Sequence, residues 1–582
     1  MTTTPSTTAA DRVRAAYRVI EQADRPEVWI TLRAEPDVLA DAADVDDRVA
    51  AGAVLPLAGT VFAVKDNIDV AGLPTTAACP SYAYTPARDA TAVARLLDAG
   101  ALCLGKTNLD QFATGLVGTR SPYGAVRHAH QAERISGGSS SGSAVAVALG
   151  ITDFTLGTDT AGSGRVPAAL HGIIGLKPTL GLVPTTGVVP AARSYDCVTV
   201  FAATLPTAQL ALSLMTGPDP ADPRSRCWPS TTRFAAANPA RIAVPDAAGL
   251  APLSVDARRA FAAAAERFRA AGAVITTIDI SPLLDAATLL YNGALVAERY
   301  AAVGAFLDTL PDAVASADTD PIVAGIIRAA RQIPAHQLVA DHARLDGYRA
   351  TARALLERHD AFLLPTTVGH PTLAEVAADP VGVNSRLGTY TNFVNLLDLA
   401  AVAVPAGTAD GSPFGVTIIT GAFDDQIGID LAAHLTGDHP PATYATGGVD
   451  LVVFGAHLRG QPLNHQLTEL GARYGGTVHT APEYRMIALP TLPAKPGIVR
   501  DTRRGAVLTG ERWTLSTAAL GTFLAALPAP MALGPVRLDS GEEVIGFHCD
   551  PATAATGTDI THHRHWPSYL ADQHDRRAAI SP

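Results

Sequence analysis

The sequence predicts an α/β protein, a sheet with helices on both faces followed by a smaller β-rich domain. Three observations carry this. Strand-like apolar runs alternate with amphipathic stretches from residue 60 to about 205, the pattern of a helix-covered sheet. Two late apolar runs, Leu399–Pro405 and Phe414–Thr420, read as further strands of that sheet. Residues 437–448, GDHPPATYATGG, have the composition of a linker, and short β-like runs follow from Asp450 to about Phe547. The expected division is a first domain over 1–436, the linker, and a second domain over 449–582.

In chain order, Asp11–Ala23 and a stretch from Glu35 to Ala51 read as polar helices. Thr60–Lys65 reads as a buried strand, with β-branched Thr60, Val61 and Val64. Asp89–Gly100 is an amphipathic helix with Ala92, Val93, Leu96 and Leu97 on one face and Gly100 as its stop. Ala101–Leu104 is a short buried strand. Residues 217–233 read as a loop, Ala240–Val244 as a strand and Ser254–Ala271 as a long helix. Asp285–Leu307 reads as one more helix, and Leu363–Thr367 as a strand end. No internal repeat is apparent.

The chain has 582 residues, 48% hydrophobic and only 17% charged, enough to build a large core. Its formal charge of −11 argues against a nucleic-acid surface. The five cysteines show no paired spacing and read as buried free thiols in a reducing cytosol. The first residues lack the apolar segment of a secretory signal, and no run is long enough to span a membrane. A cytoplasmic homodimer acting on a small molecule, with neither nucleic acid nor membrane as partner, is expected.

Ser136–Pro178 holds two clusters of glycine and small hydroxyl residues around a short apolar run. The first is Ser136-Gly137-Gly138-Ser139-Ser140-Ser141-Gly142-Ser143; the second is Gly157-Thr158-Asp159-Thr160-Ala161-Gly162-Ser163-Gly164-Arg165. Glycines let backbone N–H groups approach a ligand closely. Pro167 suits the first turn of a helix, which places Ser163 just before a helix start, where unpaired N–H groups gather. Histidine is absent from both clusters, and the G-x-S-x-G elbow is absent around Ser163.

These residues resemble the amidase-signature family of Ser-Ser-Lys amide hydrolases. Gly137-Gly138-Ser139-Ser140, the Asp159–Pro167 element and Gly172-Ile173-Ile174-Gly175-Leu176-Lys177-Pro178 follow its pattern, with Ala161 where a glycine is common. Gly59–Asp66 fits the family's strand with the third residue, Lys65. The resemblance implies a mixed sheet flanked by helices. It makes Ser163 the nucleophile, Ser139 the proton relay and Lys65 the base, an amine that works only if burial lowers its pKa. Backbone N–H groups of Thr160, Ala161, Gly162 and Ser163 would hold the oxyanion, and Asp159 and Arg165 would pair to support that loop. No cofactor and no metal is implied. Taken singly, a Gly/Ser cluster is most often a loop and a strand lysine an edge charge; the specificity lies in the three elements together.

Two other matches fail on context. Gly100–Thr107 fits the letters of a phosphate-binding loop, but Gly100 closes a helix and the segment itself reads as strand, so Lys106 reads as a strand-end residue. His562-His563-Arg564-His565 lacks a cysteine or carboxylate at ligand spacing and reads as an exposed tail.

The likeness extends along the chain. Leu290–Tyr300, Pro365-Thr366-Thr367, Asn384–Asp398, Phe454–Asn464, Tyr484-Arg485 and Pro528-Ala529-Pro530 resemble the allophanate hydrolase family. That family acts on a small urea derivative ending in a carboxylate, within a urea, triazine or pyrimidine degradation route. The resemblance gives Tyr291 and Arg299, eight residues apart and so expected on one broad helix face, the carboxylate-binding role; by residue type alone, Arg299 reads as a solvated charge or a partner of an acid such as Glu357. The second domain resembles a γ-glutamylcyclotransferase fold. It either decarboxylates the first product, with His457 as candidate, or only scaffolds. The alternatives are another amidase-signature amidase, the amidase subunit of a tRNA-dependent amidotransferase, or a non-catalytic scaffold.

Overall fold

The computed structural model describes residues 8–311, 317–438 and 443–580; positions 439–442 of the expected linker lie outside them. The chain divides into two compact units. The first comprises Met1–Cys227 and Pro239–Tyr444, the second Trp228–Asn238 and Ala445–Pro582. The second unit therefore takes residues 228–238, most of which belong to the segment expected to be a plain loop. Phe234 donates its N–H to Gly471 O at 2.9 Å.

The first unit is built on an eleven-stranded mixed sheet. In chain order its strands are β1 Trp29–Leu32, β2 Val61–Lys65, β3 Leu102–Thr107, β4 Phe154–Asp159, β5 Ile174–Lys177, β6 Cys197–Ala202, β7 Arg241–Pro245, β8 Val274–Ile278, β9 Ala361–Pro365, β10 Ala400–Ala409 and β11 Ser412–Thr420. The spatial order is β1-β3-β2-β4-β6-β5-β10-β11-β9-β7-β8. β2 runs parallel to both β3 and β4, whereas β4 and β6 are antiparallel. Every residue of β2, β3, β4 and β6 is buried. Such strands read as continuous apolar runs, and the polar residues among them, Lys65, Lys106 and Asp159, must find partners inside.

Helices α1 Ala9–Ala23, α2 Glu35–Ala50, α3 Thr91–Asp98, α4 Ser141–Ala148, α5 Val166–His171, α6 Leu205–Met215 and α7 Val255–Ala270 flank the sheet. Thr8 caps α1 by accepting from the N–H of Asp11, and Ser254 caps α7 in the same way. The helix expected over Asp285–Leu307 is broken. α8 Ser281–Thr288 ends at a turn, short helical turns resume from Ala294, and Tyr300–Gly304 is π-helical. Gly293 disfavours a continuous helix, and Ala294 donates its N–H to the Asp341 carboxylate at 2.6 Å. A 22-residue helix, Ala335–Leu356, was not legible in the sequence; it buries only Asp341, Leu345 and Ala352, too few for a periodic apolar stripe.

The second unit holds a five-stranded sheet and a three-stranded one over a core that includes Tyr484, Trp513, Phe547 and Trp566. His562 and His563 belong not to a tail but to the turn Thr561–His563, followed by the helix Trp566–Ile580. Of the five free cysteines four are buried; Cys227, against expectation, is exposed. Among the described residues no helix is long and apolar enough to cross a membrane.

α4 packs so closely that one of its residues must lack a side chain. A Cβ on Gly142 would lie 2.3 Å from Val28 O and 2.8 Å from the Asn108 nitrogen, both backbone. Gly142→Ala is expected to lose ~1–3 kcal/mol of stability, read from urea unfolding.

Candidate active site

Lys65 ends β2 and Asp159 ends β4, so both stand at the carboxyl ends of neighbouring parallel strands, where sites of α/β sheets are built. Ser139 and Ser140 lead directly into α4, and Ser163 precedes α5 by three residues. The Gly138–Ser139 peptide is cis. These placements bring the three residues into line. Lys65 Nζ lies 2.8 Å from Ser139 Oγ, and Ser139 Oγ lies 3.0 Å from Ser163 Oγ. Lys65 and Ser139 are fully buried and Ser163 is 3% exposed.

No carboxylate touches the Lys65 amine among the described residues. Its other contacts are Thr158 Oγ1 at 2.7 Å and Thr158 O at 3.4 Å, and Asn67 holds the same threonine hydroxyl at 3.3 Å. Burial lowers the lysine pKa to about 7, against the pull of Asp110, Asp159 and Asp196. A fraction of the amine is thus neutral near pH 7 and able to take a proton.

Asp159 organises the loop between β4 and α5. Its carboxylate accepts from the N–H groups of Gly162 (2.8 Å) and Gly164 (2.9 Å), and from Arg165 Nε (2.9 Å) and Nη2 (3.0 Å). Burial alone would raise its pKa, but Arg165 and the backbone donors outweigh it and hold the group below the ordinary value. The Gly162 N–H is therefore spent on Asp159, which corrects its expected place among the oxyanion donors. Among the described residues the N–H groups of Thr160, Ala161 and Ser163 meet no acceptor. Gly162 has φ +131°, and a Cβ there would lie 2.3 Å from Thr391 Oγ1. Ala161 has no such φ, which is why alanine is tolerated at 161 and glycine is required at 162. Asp196, with its pKa raised to about 6 by burial, accepts from the Thr160 hydroxyl at 2.5 Å and from the N–H groups of Ala191 and Ala192.

Arg299 is 2% exposed and not a solvated charge. Tyr291 precedes the helical segment that carries Arg299, so the pair does not share one helix as expected; the break at Gly293 turns the tyrosine back. Arg299 Nη2 reaches Tyr291 OH at 2.8 Å and Nη1 reaches Thr114 Oγ1 at 2.7 Å. Its Nε has no hydrogen-bond partner among the described residues, and no carboxylate pairs with it there. The guanidinium is thus buried and held by two neutral hydroxyls, with the Tyr291 ring centroid 5.0 Å from its Cζ. Lys106, by contrast, lies within β3 and pairs with Asp66 at 3.0 Å.

In the second unit, His457 Nε2 meets Gln466 Oε1 at 3.0 Å, and the ring stacks on Phe547 with centroids 5.0 Å apart. Burial lowers its pKa. Lys495 and Met531 share a cavity of about 10 Å³ with it. No cluster of three or more His, Cys, Asp or Glu residues suited to a metal occurs among the described residues.

Residues 11–427 match the amidase family profile. The chain belongs to the amidase family. Residues 449–571 match the allophanate hydrolase C-terminal domain. An allophanate hydrolase structure from Kluyveromyces lactis superposes on 97% of this chain and 97% of its own, with a TM-score of 0.87 and 39% identity. The urea amidolyase of Saccharomyces cerevisiae is 42% identical over 89% of this chain, and the chain spans 30% of that protein's length. A component of the glutamyl-tRNA(Gln) amidotransferase of Treponema pallidum is 36% identical, over only 65% of this chain and 81% of its own. This amidase-family chain has a mixed-sheet fold with a β-rich second unit.

Thr158, Asp110, Thr114 and Asp196 were not singled out in the sequence. Thr158 lies inside the second cluster but had no role assigned to it; the other three lie at no spacing that marks them and reach the site through tertiary packing.

A lysine whose folded pKa lies below its unfolded 10.5 makes the unfolded chain bind more protons between pH about 7 and 10.5. Wild-type stability should therefore rise with pH across that window. In Lys65→Met this rise should vanish, with the variant's gain over wild type larger at pH 6 than at pH 9, measured by urea unfolding at each pH.

Proposed function

We propose that this chain hydrolyses allophanate, with Ser163 as nucleophile and a Ser139–Lys65 relay, as the allophanate-cleaving part of a urea breakdown route. The observation that carries the reading is the buried Arg299 guanidinium, without a counter-ion among the described residues, in the same unit as a lysine–serine–serine line. Allophanate, the carboxylate of urea, supplies both a primary amide and an anionic end. Arg299 and Tyr291 receive the carboxylate. Ser163 Oγ attacks the terminal carbonyl carbon while its proton passes through Ser139 Oγ to neutral Lys65 Nζ. The oxyanion meets the N–H groups of Thr160, Ala161 and Ser163, and Asp159 and Arg165 keep that loop in shape. The proton returns to the leaving nitrogen, ammonia departs, and water hydrolyses the acyl-enzyme by the same relay. The product is N-carboxycarbamate, which loses CO2.

A role in a tRNA-dependent amidotransferase is less well supported. Those relatives cover only 64–68% of this chain. The expected cytoplasmic location fits five free cysteines; the homodimer is read by sedimentation equilibrium.

Two readings of His457 remain. As a neutral imidazole near Lys495 it assists decarboxylation. The 10 Å³ cavity, room for about one water, favours the second reading, in which His457 only packs the core. His457→Asn separates them: unchanged ammonia release with slowed CO2 release supports a chemical role, and equal rates support packing.

The main test is ammonia release from allophanate, biuret, malonamate, glutamine and an aryl amide. Allophanate should be the preferred substrate, and Ser163→Ala should lose roughly 10³-fold or more in kcat. Because the relay needs the neutral amine, kcat/KM should climb with pH and level off above about 7. Activity surviving Ser163→Ala sinks the mechanism.

A further inference from the structure

The Arg299 guanidinium is positioned by a residue that belongs to neither the serine clusters nor its own helix. Thr114 Oγ1 donates to Phe112 O at 3.1 Å, which turns its lone pairs toward Arg299 Nη1 at 2.7 Å. The Thr114 backbone is fixed from both sides. Its N–H donates to Gln111 O at 3.0 Å, and its carbonyl accepts from Arg120 Nη1 at 3.0 Å. Just before it, Phe112 and Ala113 have φ +48° and +53°, a region that residues with a side chain enter at a cost and keep only when their surroundings impose it.

The surroundings that impose it lead back to the serines. Asp110 donates its N–H to Ser139 O at 3.1 Å. Its carboxylate accepts from the N–H groups of Val117 and Gly118 at Oδ2 and of Arg120 at Oδ1. The loop from Asp110 to Arg120 is thus bonded to the relay serine at one end and to the anion-binding cation through Thr114.

The geometry points to Thr114 as a positioning residue for Arg299, with the Asp110–Arg120 loop fixing the separation between the carboxylate-binding cation and the serine pair, so that the site selects short amides carrying a carboxylate at one set distance. This rests on the carboxylate role of Arg299. Thr114→Val keeps the side-chain shape and removes the acceptor. KM for allophanate should rise about tenfold, since the bond is to a charged group, with kcat within about twofold of wild type and the neutral aryl amide unaffected. Thr114→Ser should restore the KM; Thr114→Ala should match the valine variant and stands in for it should valine fail to fold. An unchanged KM in Thr114→Val or Thr114→Ala overturns the inference, as does an equal loss on allophanate and the neutral amide. Arg299→Ala is run alongside. If it alone leaves KM unchanged, the carboxylate reading itself fails and the inference falls with it; if it raises KM and the threonine variants do not, only the inference falls.

Discussion

The proposed chemistry depends on keeping an amine dry without giving it a carboxylate to touch. Lys65 sits on a fully buried strand between two others, and its contacts are hydroxyls and one carbonyl. An aspartate in the place of Thr158 would hold the amine charged and end its use as a base. The fold supplies the dryness with two parallel neighbours and the polarity with hydroxyls, and the negative charges stand one layer back. Asp110, Asp159 and Asp196 all act on Lys65 from there.

Those three carboxylates share a second task. Each is spent on backbone N–H groups of a nearby loop: Asp159 on 162 and 164, Asp196 on 191 and 192, Asp110 on 117, 118 and 120. Loops with this many inward-facing N–H groups would be costly to bury without acceptors. Once the acceptors are used, the N–H groups left over beside Ser163 are those of Thr160, Ala161 and Ser163. The proposed oxyanion donors are in this sense the remainder of a loop-folding problem.

Much of this was legible from the chain. Two Gly/Ser clusters and a strand lysine pointed to Lys65, Ser139 and Ser163, which the structure places in hydrogen-bonded line, because all three come from short segments with distinctive backbone chemistry. The flanked sheet was legible for a similar reason: buried strands are short apolar runs. Partners contributed across large sequence distances were not. Thr114 lies 185 residues from Arg299, and nothing in its neighbourhood marks it. The helix Ala335–Leu356 was hidden by its polar surface, and the break before Arg299 was hidden because Gly293 alone does not tell a kink from a tolerated glycine. Gly162 was misassigned because its N–H is claimed by a carboxylate only three residues away, a contact no pattern of residue types distinguishes from a vacant donor.

The C-terminal unit is discontinuous in the chain, since it includes Trp228–Asn238. A protease cut near Gly447 would not release it whole: the eleven-residue strip, with Phe234 bonded to Gly471 and its ring against Gly448, would stay covalently attached to the amidase half. During synthesis that strip emerges some two hundred residues before the sheets it joins and must wait for them. Gene fusion or loss at the junction would likewise strand it, so the C-terminal unit cannot be exchanged as a simple appended cassette.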